Sequence, residues 1–484
     1  MQPRSTGQYR WSVSFGFINK YIYKQRKSSN VTLFSTAVTK EVSALGKESA
    51  SEVVPAFRKN PSKLFIELTT RCNLSCQMCV KQSWGNGVID GDMSRETFLA
   101  LTPAFSQAEA VILNGIGESL LHPELEDFIC LAKSLMPEGS WVGFQSNGLL
   151  LDERRAVSLL EAGLDKICLS LDAICPDTFR KLREGGEVAD LDCAFVALER
   201  ARKKVPDSTV QIGVEFVVMR DNIHQLPDVL RWSASRGADF ALVSHLLPYG
   251  AEHVSQAAYD SNTDQAVELF LSWKRRAETE GIDISNYFYL GFCKYIRTPE
   301  EQRVVDFVAE MMEEARSKDI FLHVKNLLAM DKAQVQKVKD IFDAAQAVAD
   351  ETGLQLKLPN VSPSIDRRCD FIESGGAFVS WDGTVHPCYF LWHRFVCHFS
   401  GRKKYVAPKE FGNLADADIQ DIWNNEAFLS FRDEVLRHEY PVCSNCNLIP
   451  CEYIYAEEFE QDCYTNTIPC GDCFWCMGLF NCLQ

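Results

Sequence analysis

The sequence predicts an α/β protein built on a partial (β/α)6 barrel, in which six parallel strands form an open barrel. Six short apolar runs predict the strands, helical patterns lie between them, and polar residues follow several of the runs. In such a fold the chemistry belongs at the carboxyl ends of the strands. The predicted strands are residues 63–68, 110–114, 141–145, 166–171, 210–218 and 240–246.

Helical periodicity fills the gaps between these strands. It is clearest in residues 94–105, 124–135, 153–162 and 190–204. Single helices between strands predict βαβ units, and such units place their strands parallel in one sheet.

Beyond residue 250 the pattern changes twice. Residues 251–364 are charged and amphipathic, which predicts a helical insertion with helices at 257–280, 299–317 and 333–352. Residues 365–484 carry eleven of the 19 cysteines in little regular pattern, which predicts a domain held together by metal. We therefore expect a leader at 1–60, a barrel core at 61–250, the helical insertion, and a cysteine-rich domain at 365–484.

Composition and charge exclude several classes of partner. The formal net charge of −16 disfavours binding to nucleic acid. No apolar window has the length of a membrane span, so we expect no membrane partner. Without a signal peptide, the 19 cysteines fit intracellular thiols and metal ligands better than disulfides, which predicts a cytoplasmic protein.

The first 40 residues differ from the rest because they hold seven Lys or Arg and no Asp or Glu. A basic, acid-free segment of this kind is typical of an organelle transit peptide. A disordered tail is the simpler interpretation. We expect a disordered leader, with organelle targeting as the alternative.

Three cysteines follow the first predicted strand directly: Cys72, Cys76 and Cys79, in the segment CNLSCQMC. Three thiolates this close together can bind three irons of a cubane cluster and leave the fourth iron open. An open iron can chelate a small molecule through an amine and a carboxylate. A zinc loop and a redox-active thiol cluster are the alternatives for this spacing.

Polar clusters also follow the next three strands. They are residues 114–118 (NGIGE), 146–148 (SNG) and 170–172 (SLD). The glycines allow a close approach of backbone to ligand, and Glu118 adds charge. Hydroxyl, amide and carboxylate groups suit ribose hydroxyls and an ammonium group. Their place at consecutive strand ends favours one ligand site shared with the cysteines.

With this order of motifs, residues 61–250 resemble the radical S-adenosylmethionine (radical SAM) superfamily. The resemblance implies an iron–sulfur enzyme in which Cys72, Cys76 and Cys79 hold a [4Fe–4S] cluster that reductively cleaves S-adenosylmethionine to a 5′-deoxyadenosyl radical. Met78 stands where many relatives carry an aromatic residue against the adenine, and Met is flexible enough to replace it. The cofactor-binding residues that the resemblance implies are Gly115, Gly117, Glu118, Ser146, Asn147, Ser170, Asp172 and Met78. It implies no particular catalytic residue.

A second constellation lies in the tail. Cys369 is followed by 13 residues, Gly383, four residues and Cys388. The later cysteines are Cys443, Cys446, Cys451, Cys463, Cys470, Cys473, Cys476 and Cys482. The opening resembles the SPASM extension, which implies one or two auxiliary [4Fe–4S] clusters, whereas the later spacing departs from the family pattern.

By analogy with that family, Cys369, Cys388 and Cys463 would serve one auxiliary cluster. The second would use Cys443, Cys446, Cys451 and either Cys470 or Cys473. Zinc at one of these sites is the alternative, because paired Cys-x2-Cys segments suit tetrahedral zinc.

The end of the chain, residues 462–475, is similar to a SPASM subgroup of metalloenzyme maturases that includes those of tungsten-cofactor oxidoreductases. The leading hypothesis is therefore a radical SAM enzyme that modifies a protein, peptide or metallocofactor during maturation of a metalloenzyme. A second hypothesis is thioether or carbon–carbon crosslinking of a ribosomal peptide. A third, of another class, is a non-catalytic iron–sulfur or zinc scaffold. A low-potential donor, either a ferredoxin or a flavodoxin, is the expected electron partner.

Overall fold

The structure, a computed structural model, describes residues 54–83, 87–399, 402–446 and 451–484. Residues 1–53 of the predicted leader lie outside the described residues. Residues 54–60, which the sequence assigns to a disordered leader, are instead packed against the C-terminal part of the chain. Pro55–Phe57 forms a short 3-10 turn, and Ala56 and Arg58 accept hydrogen bonds from Arg432 and Trp423.

Within the described residues the chain forms twelve strands. They are β1 (Lys63–Ile66), β2 (Ala110–Ile112), β3 (Trp141–Ser146), β4 (Lys166–Ser170), β5 (Gln211–Val218), β6 (Phe240–His245), β7 (Gln355–Lys357), β8 (Gly376–Val379), β9 (Thr384–His386), β10 (Phe395–Phe399), β11 (Arg402–Val406) and β12 (Gly412–Asn413). Ten of them form one sheet in the order β12-β9-β8-β1-β2-β3-β4-β5-β6-β7, and β10 pairs with β11.

The six predicted strands are confirmed as β1 to β6, and all five pairings between them are parallel. Helices connect them and pack their apolar faces on the sheet. These helices are α1 (Arg95–Leu99), α2 (Thr102–Phe105), α3 (Leu125–Leu135), α4 (Glu153–Glu161), α5 (Pro176–Leu182), α6 (Val188–Lys204) and α7 (Leu226–Ala234). The predicted helix 94–105 is divided into α1 and α2, because Pro103 lacks an N–H and starts a new helix instead of continuing the old one.

The sheet is wider than the sequence predicts. Strand β7 adds to β6 in parallel, and β8, from the cysteine-rich region, adds to β1 in parallel. A hairpin then brings β9 beside β8 in antiparallel orientation. The cysteine-rich region is therefore continuous with the barrel sheet.

The sheet also curves into an open barrel. Tyr389 packs its ring against Phe65 of β1, at a centroid distance of 5.2 Å. Burial raises the pKa of the same tyrosine, and the charges of Cys482, Glu67 and Glu215 of β5 lie close enough to add to the rise. In a flat sheet β1 and β5 would stand about 19 Å apart. The strands therefore enclose a lumen, which Glu215 and Tyr389 face.

A separate helical module lies between β6 and β7. It is built from α8 (Asp264–Glu280), α9 (Tyr287–Phe292), α10 (Pro299–Ser317) and α11 (Val324–Leu328), whose buried residues form a core of their own between Ala266 and Leu327. The next helix, α12 (Lys332–Thr352), instead packs on α7 and joins the main core. The helical core is thus narrower than the predicted range 251–364. None of the described helices is long and apolar enough to cross a membrane.

Four short helices complete the cysteine-rich region: α13 (Asp370–Glu373), α14 (Ile419–Trp423), α15 (Glu426–Leu436) and α16 (Glu452–Tyr455). Its last residues, Leu479 and Asn481, hydrogen-bond His245 and Ser244 of β6. The end of the chain therefore lies along the edge of the barrel.

Candidate active site

The cysteine loop after β1 brings three thiols together. Cys79 begins a one-turn helix, its amide donates to the Cys76 carbonyl at 3.0 Å, and its Sγ accepts from Lys81 N at 3.4 Å. Burial raises the pKa of all three thiols, that of Cys79 to about 11, and the thiol of Cys72 adds to the rise at both Cys76 and Cys79. Three free, mutually close thiols fit the donor set of an iron–sulfur cluster.

The Gly-Glu cluster after β2 is fixed against this loop. The amide of Gly117 donates to Thr69 O at 3.2 Å, and the amide of Glu118 donates to Arg71 O at 2.8 Å. A Cβ at Gly117 would lie 2.3 Å from Thr69 O, so no larger side chain fits there. The glycine thus permits a close approach of two backbone segments.

Glu118 and the cluster after β3 form one hydrogen-bonded unit. The buried Glu118 carboxylate accepts from Ser146 Oγ and from Asn147 N, both at 2.8 Å. Burial raises the pKa of Glu118. The side-chain amide of Asn147 lies 4.0 Å from Cys72 Sγ and donates to Asn73 Oδ1 at 2.8 Å. The structure therefore brings the ends of β2 and β3 onto the cysteine loop.

Asp172, after β4, is engaged in a buried ion pair that the sequence prediction missed. Its carboxylate accepts from Arg183 Nε at 2.6 Å and from Val217 N at 2.7 Å. The Arg183 charge also acts on the thiols of Cys72 and Cys76, where it opposes the effect of burial on their pKa. A buried guanidinium beside the cysteine loop is suited to a carboxylate ligand. No local sequence pattern marks Arg183, which follows the end of α5.

Two of the predicted cofactor residues have other neighbours. A Cβ at Gly115 would lie 2.2 Å from Cγ of Glu67, so this glycine makes room for a buried glutamate rather than for a ligand. Met78 packs with a small apolar cluster formed by Leu182, Met219 and Leu246. This cluster joins the ends of α5, β5 and β6. Ser170 is buried at the end of β4.

Polar side chains in the lumen form a second group that the sequence prediction missed. Glu67, which directly follows β1, accepts from Ile116 N at 2.9 Å and pairs with His393 Nε2 at 3.0 Å. Burial raises the pKa of Glu215 to about 6. The hydroxyl of Tyr389 is buried and lies beside the side chain of Asn114. A single glutamate within each of the apolar runs 63–68 and 211–218 is the signal that could have found both residues.

The tail cysteines fall into two groups, and the first contains five. Cys476 is hydrogen-bonded to Cys369 and Cys473. Burial raises the pKa of Cys388 and Cys470, and the charges of Cys369 and Cys473 add to the rise. All five are buried. The sequence prediction left out Cys476, although its two-residue spacing from Cys473 is a ligand-like signal.

The second group contains Cys446, Cys451 and Cys463. The charges of Cys446 and Cys451 contribute to raising the pKa of Cys463 to about 11, after burial, which is the largest cause. The structure thus places Cys463 near Cys446 and Cys451, whereas the family analogy associates it with Cys369 and Cys388. The two groupings differ where the spacing before Cys463 departs from the family pattern.

Cys443 directly precedes the second group, because the amide of Cys446 donates to its carbonyl at 3.3 Å. Cys443 has the charged side chains of Asp472, Arg402 and Lys404 around it. Among the described residues, no three His, Cys, Asp or Glu side chains are arranged to hold a single metal ion. In a cubane each thiolate binds a different iron, so its ligands stand further apart than those of one ion.

Comparison with known proteins agrees with this arrangement. Residues 66–233 match the model of the Radical SAM superfamily, and residues 369–447 match that of SPASM, an iron–sulfur cluster-binding domain. The chain is 28% identical over 424 residues to the tungsten-containing aldehyde ferredoxin oxidoreductase cofactor-modifying protein of Pyrococcus furiosus, covering 87% of this chain and 96% of the relative.

Two further similarities span most of the chain. Fe-coproporphyrin III synthase of Methanosarcina barkeri is 23% identical over 430 residues, covering 84% of this chain and 89% of the relative. The crystal structure of Streptococcus suis SuiB bound to S-adenosylmethionine aligns with a TM-score of 0.48 at 12% identity, covering 93% of this chain and 88% of that one.

Proposed function

Since the chain is a SAM-dependent enzyme with a radical SAM domain and a SPASM domain, we propose that it modifies the cofactor of a metalloenzyme as a maturase. Its cofactors are a [4Fe–4S] cluster, S-adenosylmethionine and auxiliary iron–sulfur clusters. When bound, the first two supply a radical that removes a hydrogen atom from an unactivated carbon. The protein's part is to bind, orient and shield the reactants.

The observation that carries this proposal is the convergence of strand ends on the cysteine loop. Cys72, Cys76 and Cys79 would ligate three irons, because their thiols are free and face one another. Arg183 would receive the carboxylate of the cofactor, since its charge stands beside Cys76. Its pairing with Asp172 would keep the guanidinium oriented toward the iron that has no protein ligand.

The remaining predicted residues would complete the cofactor site in two ways. Glu118 would act with the Ser146–Asn147 turn as a rigid wall that also bears a negative charge for the methionine amine. Ser170 would face the ribose, and Met78 would pack against the adenine within its apolar cluster. Gly115 and Gly117 would serve by letting Glu67 and the Thr69 backbone come close.

The two cysteine groups of the tail support two auxiliary clusters. Four of Cys369, Cys388, Cys470, Cys473 and Cys476 would hold the first. Cys446, Cys451 and Cys463 would hold the second, with Cys443 as the nearest further cysteine in sequence. Thiol ligation of this extent requires a reducing compartment, which supports a cytoplasmic location. A ferredoxin or flavodoxin would donate the electron, and neither nucleic acid nor membrane would take part.

The names of the relatives support a cofactor as substrate. One relative modifies the cofactor of a tungsten-containing oxidoreductase, and another synthesises Fe-coproporphyrin III. Both similarities span more than four-fifths of this chain. We therefore propose a metallocofactor or its organic precursor as the substrate, in preference to a ribosomal peptide.

The reaction class is tested by anaerobic reconstitution with iron, sulfide, dithionite and S-adenosylmethionine. We expect 5′-deoxyadenosine from the wild type, none from Cys76→Ala, and wild-type amounts from Cys130→Ala, which removes an exposed cysteine. Absence of 5′-deoxyadenosine from fully reconstituted wild type would establish the scaffold alternative instead.

The substrate class is tested by adding candidates to the same assay. A metallopterin cofactor extracted from a tungsten-containing oxidoreductase should raise 5′-deoxyadenosine formation above the rate without substrate. A cysteine-rich peptide encoded beside the gene is the matched alternative. Stimulation by the peptide alone would contradict the maturase proposal while leaving the reaction class intact.

A further inference from the structure

A cavity of about 310 Å³ opens at the amino-terminal ends of β4 to β7. Strands β1 to β7 are parallel, and the cysteine loop follows the carboxyl end of β1. The cavity therefore lies at the opposite end of the barrel. No sequence motif marks it, and the proposed reaction does not use it. Its lining includes Lys166, Gln211, Gln355, Lys357, Cys482 and Gln484.

Lysines give this mouth of the barrel a positive charge. Lys166 begins β4, Lys357 ends β7, and Lys63 begins β1 close enough to influence both. Among the described residues, none of the three ammonium groups has a carboxylate oxygen within 4.0 Å. The chain as a whole is acidic, with a net charge of −16, so this group of lysines contrasts with its overall charge.

The acids nearest to the lysines are mostly engaged elsewhere. Glu109, which acts on Lys63, is paired with Arg58. Asp165, which acts on Lys166, is paired with Lys133 at 2.9 Å. Asp370 and Cys482 also raise the pKa of Lys63, but neither forms an ion pair with it within 4.0 Å. Among the described residues, no carboxylate is therefore in direct contact with the lysines at this cavity.

The positions of Lys63 and Lys166 are electrostatically unfavourable for their charged forms. Burial is the main reason that the pKa values of Lys63 and Lys166 are lowered, and repulsion adds to it, from Lys357 in the first case and from Lys63 in the second. Lys166 is held in position because its Nζ lies over the Trp141 ring, 4.0 Å from the centroid. A bound anion would offset both the lost hydration of the buried lysines and the repulsion between them.

The wall of the cavity supplies neutral hydrogen-bond donors beside the charge. Gln211, Gln355 and Gln484 line it, and the Gln484 amide already donates to Cys482 Sγ at 3.0 Å. The volume lies at the lower end of the range of small-molecule sites, about 300–1,000 Å³. We propose that this cavity binds the phosphate or carboxylate group of a small anionic molecule, held between Lys166 and Lys357. The proposal does not depend on which substrate the enzyme modifies.

Isothermal titration calorimetry of the anaerobic holoenzyme with inorganic pyrophosphate and, separately, with citrate tests this site. We expect saturable binding of at least one anion, weakened about tenfold or more by Lys166→Gln and by Lys357→Gln, since each removes a charge-assisted hydrogen bond. Lys337→Gln, which neutralises an exposed lysine of α12, should leave binding unchanged. The tighter of the two probes identifies the anionic group.

Two results would overturn the proposal. One is the absence of saturable binding of both anions at millimolar concentration. The other is equal weakening by Lys337→Gln, which would indicate a diffuse effect of surface charge.

Labelling of Cys482 provides a readout that does not depend on Lys166, whose replacement affects a partly buried residue. Saturating anion should slow alkylation of Cys482, measured by mass spectrometry, but not that of the exposed Cys130. Lys357→Gln, at an exposed position, should abolish the protection. If the anion that saturates calorimetry leaves Cys482 labelling unchanged, it binds elsewhere and the assignment is wrong.

Discussion

The ion pair between Arg183 and Asp172 gives the sharpest test of the site. The Asp172 side chain is completely buried, and that of Arg183 is 10% exposed. Replacing Arg183 by Ala leaves Val217 N as the partner of one carboxylate oxygen and removes the partner of the other. Breaking a buried pair in this way costs about 3–5 kcal/mol, because a charge remains buried without compensation.

Arg180 offers a matched control on the same helix. Its guanidinium also pairs with two acids, Asp177 and Glu187, but its side chain is 48% exposed and those of its partners are 90% and 49% exposed. Solvent screening limits such pairs to about 0.2–1 kcal/mol. Urea unfolding of both Ala variants should therefore separate them by at least about 2 kcal/mol.

A double variant distinguishes an orphaned charge from lost packing. Asp172→Asn in the Arg183→Ala background removes the uncompensated carboxylate, so it should recover much of the lost stability. Both variants with Arg183→Ala should bind S-adenosylmethionine weakly, because neither has the guanidinium. Equal unfolding free energies for Arg183→Ala and Arg180→Ala, or normal cofactor binding by the double variant, would refute the assigned role of Arg183.

Three further predictions concern the strand end, the lumen and the tail. Gly117→Ala must displace backbone by about 1 Å and should reduce 5′-deoxyadenosine formation about 100-fold, whereas Gly291→Ala, with its nearest atom at 3.6 Å, should not. Because the folded-state pKa of Glu215 is raised to about 6, the native state binds more protons than the unfolded state between about pH 4.5 and 6. Stability should therefore fall by about 1–2 kcal/mol as pH rises through this window, and Glu215→Gln should flatten that profile in thermal unfolding. Cys369→Ala and Cys463→Ala should each lose about four irons per chain, and the double variant about eight. A double variant that loses only about four irons would support the prediction from sequence that Cys369 and Cys463 ligate the same cluster.

The six barrel strands could be predicted because their signal is local. Each is a short apolar run that starts within one residue of its observed start, and helical periodicity separates it from the next. The pairing of β8 with β1 could not be predicted in this way. It pairs Lys63 with Gly376, which are far apart in sequence, and neither strand carries a local pattern that specifies its partner strand. The widened sheet is a tertiary result, not a local one.

The residues of the site divide in the same way, into those that a local sequence pattern marks and those that only the tertiary structure reveals. The cysteine triplet, the Gly-Glu cluster and the Ser-Asn turn were found because each follows a strand whose end could be placed. Arg183 was missed because it belongs to a helix end and becomes notable only when Asp172 is found buried beside it. The grouping of Cys463 differs between the family analogy and the structure, because spacing alone does not tell which way a loop turns.

Local sequence patterns also do not show what stabilises the cysteine-rich tail, residues 365–484. Its sequence suggests that iron alone orders it, yet its apolar side chains, including Phe474, Met477 and Leu479, are buried in the main core. Three buried cations also fix the loop that carries Cys470 and Cys473. They are Arg367, which donates to the carbonyls of Cys470 and Gly471, and Arg402 and Lys404, which pair with Asp472.

These cations also act on the thiols that the loop carries. Burial disfavours the charged form of each cysteine, and neighbouring thiolates repel one another. The charge of Lys404 acts in the opposite direction on Cys470 and Cys473. Asp472 in turn pairs with Lys404 and Arg402, so neither of these two cations is buried without a partner. The same ion cluster therefore positions the loop and opposes the effect of burial on its thiols.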